Sequence, residues 1–389
     1  MRWVLLLLLG CSDANSSIAY RNGPLDPPVK TNPDPMLSGS MGSSTGNACR
    51  GWECAVVDCG ALEPTTLSGI VRDPANNLPV AGAIVYVPNQ KETPFTDGAT
   101  CPSRCAGDKP IAAAMTDAFG RFHLANVPSG SNVPLVAQSG KWRRRILVPN
   151  VKSCATTSVD TRLPKNRVEG SIPRIAIAKG CDHLEAVIAT AGVDMSEIES
   201  YDANRLATYD IVLASSQCGQ FDRATQPMAD WVQTKGGTLL ASGDQLAFFS
   251  AMPKFQMMAD PIAALPEPAP YSIDVTSPQA KTLSDWAKAN AISPDGKVSL
   301  TNAGGHLGLL KYGGIKLVRS ATQTQLASFR NSQFCGGAVY ADYEVVGQTT
   351  RLGTVEDHHV PGALLFQTAI YGWTCDFNAP QMPPPLGGE

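Results

Sequence analysis

Eleven cysteines constrain this chain more than any other feature of its 389 residues. With Cys11 set aside at the end of a leading apolar run, ten of the eleven remain: Cys49, Cys54, Cys59, Cys101, Cys105, Cys154, Cys181, Cys218, Cys335 and Cys375. An even number in an exported chain implies a framework of disulfides, whose connectivity one sequence does not fix. Zinc is the rival use of such residues. Zinc pairs usually stand about two to four residues apart, often with histidine nearby. Here Cys49, Cys54 and Cys59 are spaced by five and Cys101 and Cys105 by four, but no histidine neighbours them, so disulfides are expected and no metal or cofactor is called for. Charged residues make up only 17%, with 35 Gly and 30 Pro, which favours β-rich, loop-rich domains outside the cytoplasm. A net charge of −3 lacks the basic signature of a nucleic-acid binder.

The N-terminus agrees with export. Met1-Arg2-Trp3 carries one positive charge, Val4 to Leu9 are apolar, and Gly10-Cys11 follow. Charge, apolar stretch and small residue in that order make a secretory signal. No run of about 18 apolar residues occurs, so no transmembrane helix is expected. Leu8-Leu9-Gly10-Cys11 resembles the bacterial lipobox, which implies that Cys11 is lipidated and anchors the mature chain through buried acyl chains. Ser12 after that cysteine then implies the outer membrane, facing the periplasm or the surface. Residues 12–48 are rich in Pro, Ser and Gly with few apolar positions, and read as a flexible tether. A Cys-rich segment, 49–61, follows, and a Pro-rich tail, 377–389, closes the chain.

Residues 62–165 read as short strands punctuated by Gly and Pro: Thr66 to Val71, Ala83 to Val87, Arg121 to Leu124, Val133 to Gln138 and Arg144 to Val148, with a turn at Thr116 to Gly120. That pattern predicts a β-sandwich. Gly69-Ile-Val-Arg-Asp73, Leu78-Pro-Val-Ala-Gly-Ala-Ile-Val85 and Thr116-Asp-Ala-Phe-Gly-Arg-Phe122 resemble the carboxypeptidase regulatory-like domain. The resemblance implies a Greek-key sandwich that serves as a non-catalytic accessory module. The insertion carrying Cys101 and Cys105 departs from it and reads as a pinned loop. Trp142-Arg143-Arg144-Arg145 is the one basic run, read as a solvent-facing strand with Trp142 packed inward; the rival reading is a contact with anionic polysaccharide or lipid headgroups.

Residues 170–376 alternate differently. Arg174 to Ala178, Tyr209 to Ala214, Thr238 to Ser242 and Ala338 to Ala341 are continuous apolar runs of buried parallel-strand type. Between them, Leu184, Val187 and Ile188, and later Met228, Trp231 and Val232, fall at helical spacing, and Ala363 to Ile370 reads as a last helix. A parallel sheet with helices on both faces is predicted. Tyr209-Asp-Ile-Val-Leu-Ala214, Gly236-Gly-Thr-Leu-Leu-Ala-Ser-Gly-Asp-Gln245 and Gly336-Gly-Ala-Val-Tyr-Ala-Asp-Tyr-Glu344 resemble the class I glutamine-amidotransferase-like fold, in the branch shared with trehalose-utilisation proteins. That resemblance implies a flavodoxin-like sheet. The whole order of parts resembles a group of bacterial lipoproteins with a carboxypeptidase regulatory-like domain.

The amidotransferase pattern at the strand-to-helix turn is Gly-x-Cys-x-Gly-His-Gln. Aligned on Gly243 and Gln245, it puts Ala241 at the nucleophile and Asp244 at the histidine. The later His-x-Glu becomes Asp342-Tyr343-Glu344. A triad without nucleophile or base performs no acyl transfer. Ser242 is no substitute, because Leu240 breaks the Gly-x-Ser-x-Gly elbow. Cys218 reads as half of a disulfide, and Glu356-Asp357-His358-His359 as a solvated loop. Asp244, Asp342 and Glu344 remain as candidate ligand-binding residues at the sheet's C-terminal edge. The sequence therefore points to a binding or scaffolding protein of the cell envelope, held to the membrane and meeting an envelope glycan or protein. A hydrolase with a non-standard site near Asp244 and Glu344 is the rival. A bridge Cys181–Cys218 is expected, because each cysteine follows one of two strands that such a fold sets side by side.

Overall fold

The computed structural model describes residues 49–100, 110–180, 182, 184–216, 225–250, 252, 270–300, 314–329, 336–343, 345 and 360–372. Cys11, the tether 12–48 and the tail 377–389 lie outside them. Cys49–Glu389 cluster as one compact unit. Among the described residues no helix is long and apolar enough to cross a membrane.

Two four-stranded sheets form the first half. One places β4 (Arg121–Ala125), β1 (Thr66–Arg72) and β7 (Thr156–Ser158) in that order, with β8 (Thr161–Arg162) also on β1. The other runs β3 (Pro110–Met115), β2 (Ile84–Pro88), β5 (Val133–Ser139) and β6 (Trp142–Val148), all antiparallel. Alternate residues point inward, as strand geometry requires. Leu67 and Val71, Phe122 and Leu124, Val85 and Val87, and Leu135 and Ala137 share one buried cluster. The turn at 116–121 is fixed by Asp117, whose Oδ1 accepts from the Phe119 and Arg121 amides at 2.8 Å each. Strand β3 carries three alanines in succession and no β-strand signal; pairing with β2 overrides its helical propensity.

The second half is built on a nine-stranded sheet ordered β10 (Ser196–Glu197), β9 (Ile175–Ala178), β11 (Ile211–Ala214), β12 (Thr238–Ser242), β17 (Gly337–Ala341), β16 (Thr324–Phe329), β15 (Gly314–Arg319), β13 (Tyr271–Ile273) and β14 (Lys297–Val298). The strands from β10 to β17 are parallel, and those beyond are antiparallel. The wholly parallel sheet expected from the sequence is thus corrected to a mixed one. Along β9, Ile175 and Ile177 enter one apolar cluster while Ala176 and Ala178 enter another; Ile211 and Leu213 of β11 part from Val212 and Ala214 in the same way. The first cluster takes in residues of α1 (Glu185–Ala191), α5 (Pro278–Ala289) and α6 (Val360–Gly372). The second takes in residues of α2 (Ala203–Leu206), α3 (Thr225–Asp230) and α4 (Leu246–Ser250). A π turn, Trp231–Lys235, extends α3 and stops at Gly236, whose φ of +91° suits glycine. Helix α5 starts where Ser277 Oγ accepts from the Ala280 amide at 3.1 Å and Pro278 takes a first-turn position.

The two halves share their core. The cluster of Leu67, Leu135 and Trp142 in the sandwich is continuous, through Leu163 and Ile172, with Ile175, Leu213 and Trp286 of the second half. Trp286 Nε1 also donates to the Pro79 carbonyl at 2.8 Å. Between the halves, Arg162 grips Glu169 through both guanidinium nitrogens, at 2.8 and 2.6 Å. This contact and the Lys165 amide hold the Glu169 carboxyl down to about 2.

Two bridges occur among the described cysteines, Cys49–Cys54 and Cys59–Cys154. They settle part of the connectivity that the sequence left open. The first closes a tight 3₁₀ turn, Gly51–Ala55; the second ties the segment after it to the loop before β7. Cys101, Cys105, Cys181, Cys218, Cys335 and Cys375 lie outside the described residues, and with them the expected Cys181–Cys218 bridge. Cys59–Cys154 spans a separation of 95 residues. Its loss in Cys59→Ser/Cys154→Ser is expected to lower stability by about 4.7 kcal/mol on the loop-entropy model. Urea denaturation measures this, and the double variant Cys49→Ser/Cys54→Ser is expected to lose less.

Candidate functional site at the carboxyl edge of the parallel strands

Where β11, β12 and β17 end, their next residues are polar. Ser215 and Ser216 follow β11, Gly243 to Gln245 follow β12, and Asp342 follows β17. The strands run parallel and in register, so these residues meet at one edge. Open α/β sheets hold ligands there.

Gly243 makes the turn out of β12. Its φ of +54° lies in the left-handed region, and a Cβ there would stand 2.8 Å from Ser216 Oγ. Both facts favour glycine. A short 3₁₀ turn, Gly243–Gln245, leads from it into α4. This strand–turn–helix is the local geometry in which nucleophile elbows are built. The sequence alignment placed Ala241 at that position. Ala241 instead lies buried within β12, and the residue at the elbow is Gly243, which has no side chain.

Asp244 is the part-exposed acid of the group. Its Oδ1 accepts from Ser216 Oγ at 3.0 Å and from Gln245 Nε2 at 2.9 Å. Ser242 is fully buried and its Oγ accepts from the Ser216 amide at 3.2 Å, so it lines the floor. Asp342 is also fully buried. The Tyr340 hydroxyl stands 2.5 Å from the Gly243 carbonyl oxygen and 3.2 Å from Asp342 Oδ1, so its proton serves two acceptors. Burial first, and then the charge of Asp342, push the Tyr340 phenol well above its ordinary range. Tyr340 is thus a neutral donor that ties the elbow to Asp342 from below. Tyr201 is raised likewise, by burial and then by Asp244.

Of the sequence candidates, the fold brings Asp244 and Asp342 to one edge, linked through Tyr340 and Gly243. Glu344 lies outside the described residues, as do Cys218, His358 and His359. Ser216 and Tyr340 were not singled out from sequence. Tyr340 stands two residues before Asp342 on the same strand face, a spacing that marks it in retrospect. His123, on β4 in the sandwich, is the one histidine among the described residues. No group of three or more His, Cys, Asp or Glu fit to hold a metal occurs among them. The geometry offers a carboxylate within reach of solvent, braced by a hydroxyl and an amide, and suited to accept hydrogen bonds from a polar ligand.

The basic run is placed differently from the sequence reading. Trp142 is fully buried, as expected, but Arg143 is buried as well rather than solvent-facing. It stacks 4.1 Å over the Phe95 ring and donates to the Thr93 carbonyl at 2.7 Å.

No family model and no curated protein matches the chain. Among solved structures, a cytoplasmic protein from Salmonella typhimurium is 12% identical, with a TM-score of 0.31 over 51% of this chain and 99% of its own. An exo-β-1,4-mannosidase from an Opitutaceae bacterium is 13% identical, with a TM-score of 0.33 over 52% of this chain and 37% of its own. At these TM-scores neither bears on fold or function.

Proposed function

We propose that this protein is a lipid-anchored cell-envelope protein that binds or scaffolds without catalysing a reaction. Its first half is read as a carboxypeptidase regulatory-like sandwich. Its second half is read as a flavodoxin-like, amidotransferase-derived module that has lost its chemistry. The order β10-β9-β11-β12-β17 supports that reading, because it is second-first-third-fourth-fifth among parallel strands. The Gly10-Cys11 lipobox and the two disulfides support an exported, anchored chain.

The observation that carries the non-catalytic reading is Gly243 at the elbow. A nucleophile needs a side chain at that turn, with a base in hydrogen-bond reach. Gly243 has none, and Ser242 beside it is buried. The remaining acid, Asp244, suits ligand binding: it is reachable and already oriented. An envelope glycan, rich in hydroxyl donors, is the ligand class this edge fits.

Two measurements test the proposal together. The full chain is expected to show no saturable glutaminase, esterase or glycosidase turnover; turnover that disappears in Asp244→Ala overturns the non-catalytic reading. Cys11→Ala is expected to abolish radiolabelled palmitate incorporation. Unchanged labelling and membrane fractionation overturn the anchor.

A further inference from the structure

A strap of residues 90–99 crosses from the sandwich to the second half without regular structure. Cations hold it down along its length. Three come from the β5–β6 hairpin: Lys141 from its turn, and Arg143 and Arg145 from alternate positions of β6, so that these two share one side of the strand about 7 Å apart. Lys141 Nζ donates to the Thr96 and Gly98 carbonyls at 3.2 and 3.1 Å and pairs with Asp210. Arg143 takes the Thr93 carbonyl and the Phe95 ring. Arg145 pairs with Glu92 at 3.7 Å. Two more come from the junction of the halves: Arg167 and Arg174 share the Asp97 carboxylate, at 2.8 and 3.0 Å.

The strap's acceptors therefore cover a row of five cations, of which Lys141 is also paired with Asp210 outside the strap. The row is not sealed. Asp97, Arg167 and Arg174 have side chains roughly half exposed, at 49, 48 and 45%. Beside them a cavity of about 380 Å³, within the size range of small-ligand pockets, leads in from Arg167 to the buried Lys141. The arginines hold the Asp97 carboxyl below its usual range, so it is charged at neutral pH.

We propose that this row is a binding surface for a carboxylate-bearing polysaccharide, and that the strap covers it in cis as an internal competitor. The chemistry of the present occupant names the ligand: the Asp97 carboxylate sits between two guanidiniums, one oxygen to each, a charge-assisted pairing that a ligand's carboxylate can take over. Cations repeating along a strand suit a linear polyanion better than one small anion. The ligand's carboxylates replace Asp97 at the exposed end first and Glu92 afterwards. The strap thereby sets a threshold on binding. This surface is separate from the Asp244 edge, and neither depends on the other.

Binding of sodium polygalacturonate to the full chain, with disulfides intact, tests this across a salt series. Salt-sensitive binding is expected, as for any polyanion held by counter-charges. Glu92→Gln/Asp97→Asn, which removes the internal competitor's charges at the largely buried Glu92 and the half-exposed Asp97, is expected to tighten binding about tenfold. Arg167→Gln/Arg174→Gln is expected to weaken it by about tenfold or more. No tightening in the first variant overturns the competition, and no weakening in the second overturns the site. Binding to phosphatidylglycerol vesicles with none to polygalacturonate overturns the ligand class.

Discussion

Burial of apolar surface in one continuous core is the constraint on which the rest of this structure depends. Each sheet leaves an apolar face that must be covered. Here the cluster that fills the sandwich runs on through Leu163 and Ile172 to the inner face of β9 and β11 and the helices packed on it. The Arg162–Glu169 pair and the Trp286 contact with Pro79 lie along the same seam. Polar bonds at such a place add direction more than strength. They fix which surfaces meet, while the shared core supplies the driving force at roughly 25 cal/mol per Å² of apolar area buried.

The fold was legible where each residue's polarity agreed with its burial. Tyr209 to Ala214 and Thr238 to Ser242 read as buried strands because nearly every residue is apolar or β-branched. They lie at the centre of the sheet, with alternate side chains entering separate clusters. Strand β16 was not legible. Thr324, Gln325 and Ser328 are polar yet buried, so their sequence gives no strand alternation. Strand β3 failed for the opposite reason, since Ala112 to Ala114 favour a helix until β2 pairs with them. The antiparallel extension β13 to β16 hides in such segments, and with it the mixed character of the sheet.

The candidate sites divide along the same line. Asp244 was visible because the amidotransferase turn pattern, aligned on Gly243 and Gln245, falls on it at the histidine position. Its setting was not: Tyr340 reads as a core aromatic, and only the register of β12 against β17 brings its hydroxyl to the Gly243 carbonyl. The sequence motif also placed the elbow two residues early, because residue matching does not see φ; the left-handed turn at Gly243 does the locating. The strap was wholly illegible. Glu92 and Asp97 belong to no pattern, and Arg143 reads as solvent-facing until a segment some fifty residues away in sequence covers it.

The shared core makes a direct claim about cooperativity: the two halves unfold together. Differential scanning calorimetry of the full chain with its disulfides intact tests it most directly. The account predicts a single transition whose calorimetric and van't Hoff enthalpies agree. Two resolved transitions, or a calorimetric enthalpy well above the van't Hoff value, would contradict it and make the halves independent domains.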